Sequence, residues 1–249
     1  MRENHVKKML RDGTPALGIG LALGSVRAAE VCARAGFDLV MVDLLHGYFS
    51  IPDAVNALRA VATTGAVPFA RVAANESARI GEVLDAGALG VVVPMVNSPD
   101  EARAAVRASF YPPAGERSRG GAVAAFYGDD YFDRTGETVS VVVMIETARG
   151  LENADAIAAV AGVDAVLIGS GDLALSLGVS GDSPAFDEAV QRISRACRTH
   201  RIAAGIAVKD PAGVRRWRAH GFSLFLLSTE LSLLRASASD LAVHARKAL

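Results

Sequence analysis

Apolar positions along the chain gather in short runs rich in Val, Ile and Leu, separated by Ala-rich stretches whose apolar residues fall at helical spacing. The runs are 16–21, 39–42, 67–72, 90–93, 139–145, 165–168, 203–208 and 224–227. Near-continuous apolar runs of this length, alternating with helical patterns, read as parallel strands covered on both faces. The intervening stretches predict helices over 26–35, 52–63, 77–86, 99–107, 151–160, 185–200, 211–220 and 231–247. Ser98-Pro99-Asp100 and Asp210-Pro211 carry helix-start chemistry, a capping oxygen followed by a proline that needs no N–H partner. Gly36, Gly87, Gly162 and Gly221 follow helix ends, where a left-handed residue is needed.

Eight strands alternating with eight helices in 249 residues predict an α/β fold, a (β/α)8 TIM barrel over 1–249 as one domain. An open doubly wound sheet is the alternative. In a barrel the active site sits where the strands end, so the polar residues that close the apolar runs are the ones to inspect.

Two strands each deliver an acid. Glu146 follows Val-Val-Val-Met-Ile, and Asp172 follows Ala-Val-Leu-Ile-Gly-Ser-Gly. Neighbouring parallel strands lie about 4.8 Å apart, so carboxylates leaving their ends can converge on one small cation or serve as an acid/base pair. Taken alone, Glu146 reads equally well as a cap on the helix that starts near Thr147.

The second run ends in Asp43-Leu44-Leu45-His46, and His46 is the one histidine of five in a loop after a strand. It needs an orienting partner before it reads as catalytic. Arg71 leaves the third run, where it would meet an acid or an anionic ligand. Asp85 ends a helix pattern and by itself reads as solvated. Gly169-Ser170-Gly171-Asp172-Leu173-Ala174 formally satisfies G-x-G-x-x-A, but it falls in the sixth unit and no acid ends a second strand about 20 residues on. Its glycine-rich turn into a helix still offers free N–H groups to a carboxylate or phosphate. Lys209, one of four lysines, closes the seventh run. It reads as the exposed first turn of a helix or, desolvated, as a Schiff-base lysine.

Charge and composition narrow the partners. With 26 Lys and Arg against 27 Asp and Glu there is no electrostatic case for nucleic acid or an anionic membrane, and the expected partner is a small molecule. The N-terminal segment lacks an apolar core, and no apolar run reaches the roughly 18 residues of a span. Only Cys32 and Cys197 occur, far apart and within helical patterns, which suits a reducing, cytoplasmic setting. The segment 111–137 has no place in the alternation; a loop this long is expected to reach a neighbouring subunit.

In this order, Asp43 to Gly47, Phe69 to Val72, Leu84-Asp85-Ala86-Gly87-Ala88, Val93-Pro94-Met95-Val96, Tyr111-Pro112-Pro113, Ile145-Glu146-Thr147 and Gly169 with Asp172-Leu173 resemble the HpcH/HpaI family of class II, metal-dependent pyruvate aldolases. The resemblance implies that Glu146 and Asp172 hold a divalent ion, Mg²⁺ or Mn²⁺ with Co²⁺ as a further fit, and that a pyruvate-like 2-keto acid chelates it. It implies that Ser170, Gly171 and Asp172 hold the keto acid's carboxylate, that Arg71 stabilises the enolate, and that His46, oriented by Asp85, acts through water on the aldol hydroxyl. Ala207 would border the aldehyde. The family's assembly implies a homo-oligomer, a hexamer or trimer of dimers, with the last helix swapped onto a partner. The chain departs from the family pattern at Leu45, where Glu is usual, at Met144, where Gln is usual, and in Gly169-Ser170-Gly171-Asp172, where Gly-Pro-Ala-Asp is usual. Three readings therefore stand: an aldolase acting on 4-hydroxy-2-keto acids, a Claisen-type synthase or lyase that uses a thioester or keto acid on the same site, and a keto-acid-binding barrel without turnover.

Overall fold

The computed structural model describes residues 2–120 and 122–249; Met1 and Gly121, the last glycine of the Tyr-Pro-Pro segment, lie outside the described residues. Strands β1 (Ala16–Leu21), β2 (Leu39–Asp43), β3 (Val67–Arg71), β4 (Gly90–Val93), β5 (Ser140–Ile145), β6 (Ala165–Ile168), β7 (Ala203–Val208) and β8 (Leu224–Thr229) pair in parallel in sequence order. β8 returns to β1 and closes the barrel. Strand and helix positions follow the apolar pattern to within a residue or two. One expected helix divides at Asn153 into Ala148–Glu152 and Ala154–Ala158.

Side-chain alternation separates two cores. Residues such as Val141, Val143 and Ile145 face outward and pack with the surrounding helices. Leu39, Met41, Phe69, Val142, Met144, Leu167, Leu224 and Leu226 fill the barrel interior. The interior is close-packed because small residues stand opposite large ones. A Cβ at Gly90 would lie 2.2 Å from the ring of Phe69, so β4 starts with the residue that leaves room for it.

The end where the strands begin is sealed. The helix His5–Asp12 buries Val6 and Leu10, and the Asn4 amide donates to Leu89 O, Thr138 O and Ser140 Oγ. The segment 111–137 forms the helices Ala122–Tyr127 and Tyr131–Thr138 beneath the barrel. Tyr131 is fully buried, stacks with Tyr127 and receives a hydrogen bond from Arg117, while Tyr127 Oη donates to Gly87 O. These short aromatic helices pack inside their own chain because their rings close an otherwise open apolar floor. The other end, where strands finish, is open.

The last helix, Glu230–Lys247, behaves differently. Glu230 is buried, but Leu233, Leu234, Leu241 and Val243 are half or more exposed. It leaves its own barrel after the first turn with its apolar residues uncovered. Among the described residues no helix is long and apolar enough to cross a membrane.

Candidate active site

Strand register determines which polar side chains meet. Asp43 and Arg71 are the final residues of β2 and β3 and are direct cross-strand partners. Counting back in steps of two, both share the inward face with Met41 and Phe69. Glu146 follows β5 on the same face as Val142 and Met144. The parity of three apolar strands thus delivers an acid, a base and a second acid to one cavity. That cavity, about 360 Å³ at the open end, is also bordered by Gly169, Ser170, Gly171, Asp172, Ala207 and Lys209.

Arg71 is held flat against Asp43, Nε to Oδ1 at 2.8 Å and Nη2 to Oδ2 at 2.5 Å. Asp43 Oδ1 also accepts the N–H groups of Leu45 and His46, so one carboxylate fixes both the guanidinium and the start of the His46 loop. Burial alone would raise the pKa of Asp43, but Arg71 and the two N–H donors outweigh it and hold the carboxyl below its ordinary value.

Glu146 is 3% exposed, and its Oε1 accepts the Met95 N–H at 2.6 Å. Met95 adopts the left-handed conformation, φ 56°, which turns that N–H toward the carboxylate at a cost of about 1 kcal/mol. On its other side Glu146 rests on bare backbone: a Cβ at Gly169 would stand 2.4 Å from Oε2. Its pKa is raised, first by burial and then by the charge of Asp172, with Met95, Arg71 and His46 acting the other way. His46 is exposed at the rim, within electrostatic range of Glu146.

The helix Ser170–Leu177 starts at Gly169 without a side-chain cap. Its first N–H groups, on Ser170, Gly171 and Asp172, have no partner within the helix. Ser170 Oγ is buried with no hydrogen bond. Together they form a donor-rich wall beside the two acids.

These acids suit a divalent cation. Two oxygen donors on adjacent strand ends, one buried and destabilised by the other's charge, match a hard ion that takes its remaining ligands from substrate and water. Among the described residues no third His, Cys, Asp or Glu joins them.

Six of the expected site residues therefore meet: Arg71, Glu146, Ser170, Gly171, Asp172 and Ala207. The exceptions are His46, which stays at the rim, and Asp85. Asp85 ends the helix Ser77–Asp85, near the start of β4 and so at the sealed end, where it accepts a 2.6 Å bond from Arg117. The implied pairing with His46 does not form within one chain. Sequence reasoning gave no role to Asp43, although its place as the last residue of a strand beside the arginine's strand was a usable signal. It also passed over Ser228, Thr229 and Ser232, which border the cavity because the β1–β8 register slips after Gly18 and Ser228 turns left-handed, φ 57°.

Comparison with known proteins places this geometry. The HpcH/HpaI aldolase/citrate lyase family matches residues 18–236. The chain is 40% identical over 246 residues to the hydroxypyruvate/pyruvate aldolase of Paraburkholderia phytofirmans, covering 94% of this chain and 95% of that one. It is 41% identical over 214 residues to the 4-hydroxy-2-oxovalerate aldolase of Novosphingobium aromaticivorans, covering 85% and 79%. A crystal structure of an HpcH/HpaI aldolase/citrate lyase family protein from Burkholderia cenocepacia superposes with a TM-score of 0.92 at 34% identity, over 98% of this chain and 99% of the other. A closed parallel barrel with two acids and an acid-clamped arginine at its mouth, matched over nearly its whole length, belongs to the HpcH/HpaI aldolase/citrate lyase family.

Proposed function

We propose that this chain is a class II aldolase, a carbon–carbon lyase that cleaves and forms 4-hydroxy-2-oxo acids from a pyruvate-like keto acid and an aldehyde. The convergence of Glu146, Asp172 and the clamped Arg71 on one cavity carries this reading. Glu146 and Asp172 would hold Mg²⁺, Mn²⁺ or Co²⁺, which when bound supplies Lewis acidity to the keto acid.

The protein's own groups divide the remaining work. The first-turn N–H groups of Ser170, Gly171 and Asp172 donate to the keto acid's carboxylate. Arg71, with Nε and Nη2 engaged by Asp43, offers Nη1 to the oxygen that becomes the enolate. This group is preorganised, and its charge is worth most where negative charge develops. In the cleavage direction His46, through a water, takes the proton of the hydroxyl group. The bond between the carbinol and methylene carbons breaks, its electron pair enters the enolate, and the aldehyde leaves. Protonation of the methylene carbon then gives the methyl group of the keto acid.

His46 and Asp85 lie at opposite ends of one barrel, so their pairing requires Asp85 of a second copy. The uncovered leucines of Glu230–Lys247 support the same conclusion, a homo-oligomer of hexamer or trimer-of-dimers type with that helix exchanged. Two free cysteines buried in the core suit a cytoplasmic setting.

Proton-to-deuterium exchange at the pyruvate methyl group, followed by NMR in chelated protein with and without Mg²⁺ or Mn²⁺, tests the reading. Metal-dependent exchange that is lost in Glu146→Ala and Arg71→Ala is expected. No exchange with either ion overturns it.

A further inference from the structure

Lys209 stands at a junction. It follows β7 and borders the active-site cavity, and it also borders a second cavity of about 380 Å³ lined by Phe186, Asp210, Arg216 and Trp217. The two cavities share Ser170, Ala207 and Lys209, so they form one groove running outward over the end of β7. Ala207 has only a methyl group there and leaves the passage open.

The charges of this groove differ in how they are held. Resting on the function proposed above, a divalent ion balances Glu146 and Asp172, and Arg71 is balanced by Asp43. Farther out, Arg216 grips Asp187 with both contacts at 2.5 Å and lies over the ring of Trp217. Asp210 is turned to its own helix, accepting the Gly213 N–H at 2.8 Å. Lys209 makes no hydrogen bond or ion pair among the described residues. An ammonium that no carboxylate holds, at the exit of a cavity and one short passage from the reacting carbon, fits a ligand whose far end is an anion. Ser170 Oγ, buried and without a hydrogen bond at the same junction, supplies a donor along the passage.

We propose that the groove over β7 binds the distal end of the aldehyde and that Lys209 selects acceptors ending in a carboxylate or a phosphate. The aldehyde carbon faces the enolate within the barrel mouth, the chain of the acceptor passes Ala207, and its anionic end meets the Lys209 ammonium. The groove explains why the seventh strand ends in a lysine rather than the apolar residue that its preceding run continues.

The test compares acceptors that differ only in charge, so that metal occupancy cancels in the ratio. 4-Oxobutanoate is set against its neutral amide, and glyceraldehyde 3-phosphate against glyceraldehyde, each with pyruvate and wild-type enzyme. A kcat/KM preference for the anion of about fivefold or more is expected, the scale of one exposed charge pair, and it shrinks with added salt. The preference falls toward unity in Lys209→Met and is kept in Lys209→Arg. Whether the carboxylate or the phosphate pair shows the larger ratio identifies the natural class. Equal use of charged and neutral acceptors by the wild type overturns the proposal, as does a preference that survives Lys209→Met. A borohydride-trapped pyruvate adduct on Lys209 also overturns it, because the lysine would then be a nucleophile. Failure of pyruvate methyl exchange in wild-type protein sinks the aldolase reading itself, whereas exchange without anion preference sinks this proposal alone.

Discussion

Arg71 and Asp43 form a two-point ion pair across adjacent strands, with the carboxylate 5% and the guanidinium 16% exposed. Such a pair is costly to break because it leaves a buried charge without a partner. Asp43→Asn should destabilise the protein by about 3 kcal/mol near neutral pH. Because the folded pKa of Asp43 lies below its ordinary 3.8, its contribution is present above that value and is lost as pH falls through the lower folded one. Urea unfolding should show the gap between wild type and Asp43→Asn at neutral pH and its narrowing as pH falls below 3.8. Methyl exchange should fall in the variant, since Arg71 and the His46 loop both lose their anchor.

Gly169 supports Glu146 by having no side chain. In Gly169→Ala the new methyl would stand 2.4 Å from Oε2 and 2.8 Å from Cβ of Glu146, and a buried carboxylate must move. A displacement of about 1 Å at a reacting centre costs on the order of 100-fold in rate. Gly65→Ala, where nothing lies within 4 Å, serves as the control and should change stability by about 0.5 kcal/mol or less.

Glu146 is ionised at a cost to the fold. Its pKa is raised in the native protein, so its contribution to stability is complete below the ordinary 4.5 and is lost as pH rises through the raised value. Glu146→Gln keeps the shape and the acceptor for Met95 while removing the charge. The chelated variant should melt about 2–4 °C above chelated wild type for each kcal/mol of penalty relieved. At about 100-fold excess over its dissociation constant, Mn²⁺ should add about 2.7 kcal/mol to the wild type, and the gain should vanish in the variant. Calorimetry of the four samples checks both signs.

If His46 draws Asp85 from a second copy, two defects on different chains can complement each other. His46→Ala and Asp85→Ala should each lose most activity as pure oligomers. After unfolding and refolding together, mixed assemblies should regain up to about a quarter of wild-type activity through hybrid sites carrying both residues. Replacing Leu234 and Leu241 with Asp should lower the mass measured by light scattering, because those side chains are uncovered within the chain.

The barrel was legible because the strands are apolar runs and several of the helices between them carry a start signal. Ser50, Ser98, Ser183 and Asp210 all cap as their sequence suggests. What escaped were short elements outside the strand–helix alternation. Tyr131–Thr138 has no side-chain cap bond and, like Ala122–Tyr127, is held by tertiary ring contacts, while His5–Asp12 has its caps but buries only two residues. In the site, the strand-end acids and arginine were visible one at a time. That Asp43, rather than a ligand, meets Arg71 depends on the β2–β3 register, which no single run contains. The exclusion of Asp85 from the mouth follows from which end of a strand a helix end adjoins, and local chemistry says nothing about it.

The sealed floor of the barrel has a consequence for synthesis. The Asn4 amide waits for a carbonyl 134 residues downstream, and Lys7 waits for Asp164, 157 residues away. β1 cannot finish its own hydrogen bonding until β8 arrives. The residues before and within β1 are thus among the last of the barrel to find their partners, and β1 keeps an unpaired edge until β8 has been made. Closure of the ring is the event that removes that edge, and it joins the first and last strands of the barrel in a single step.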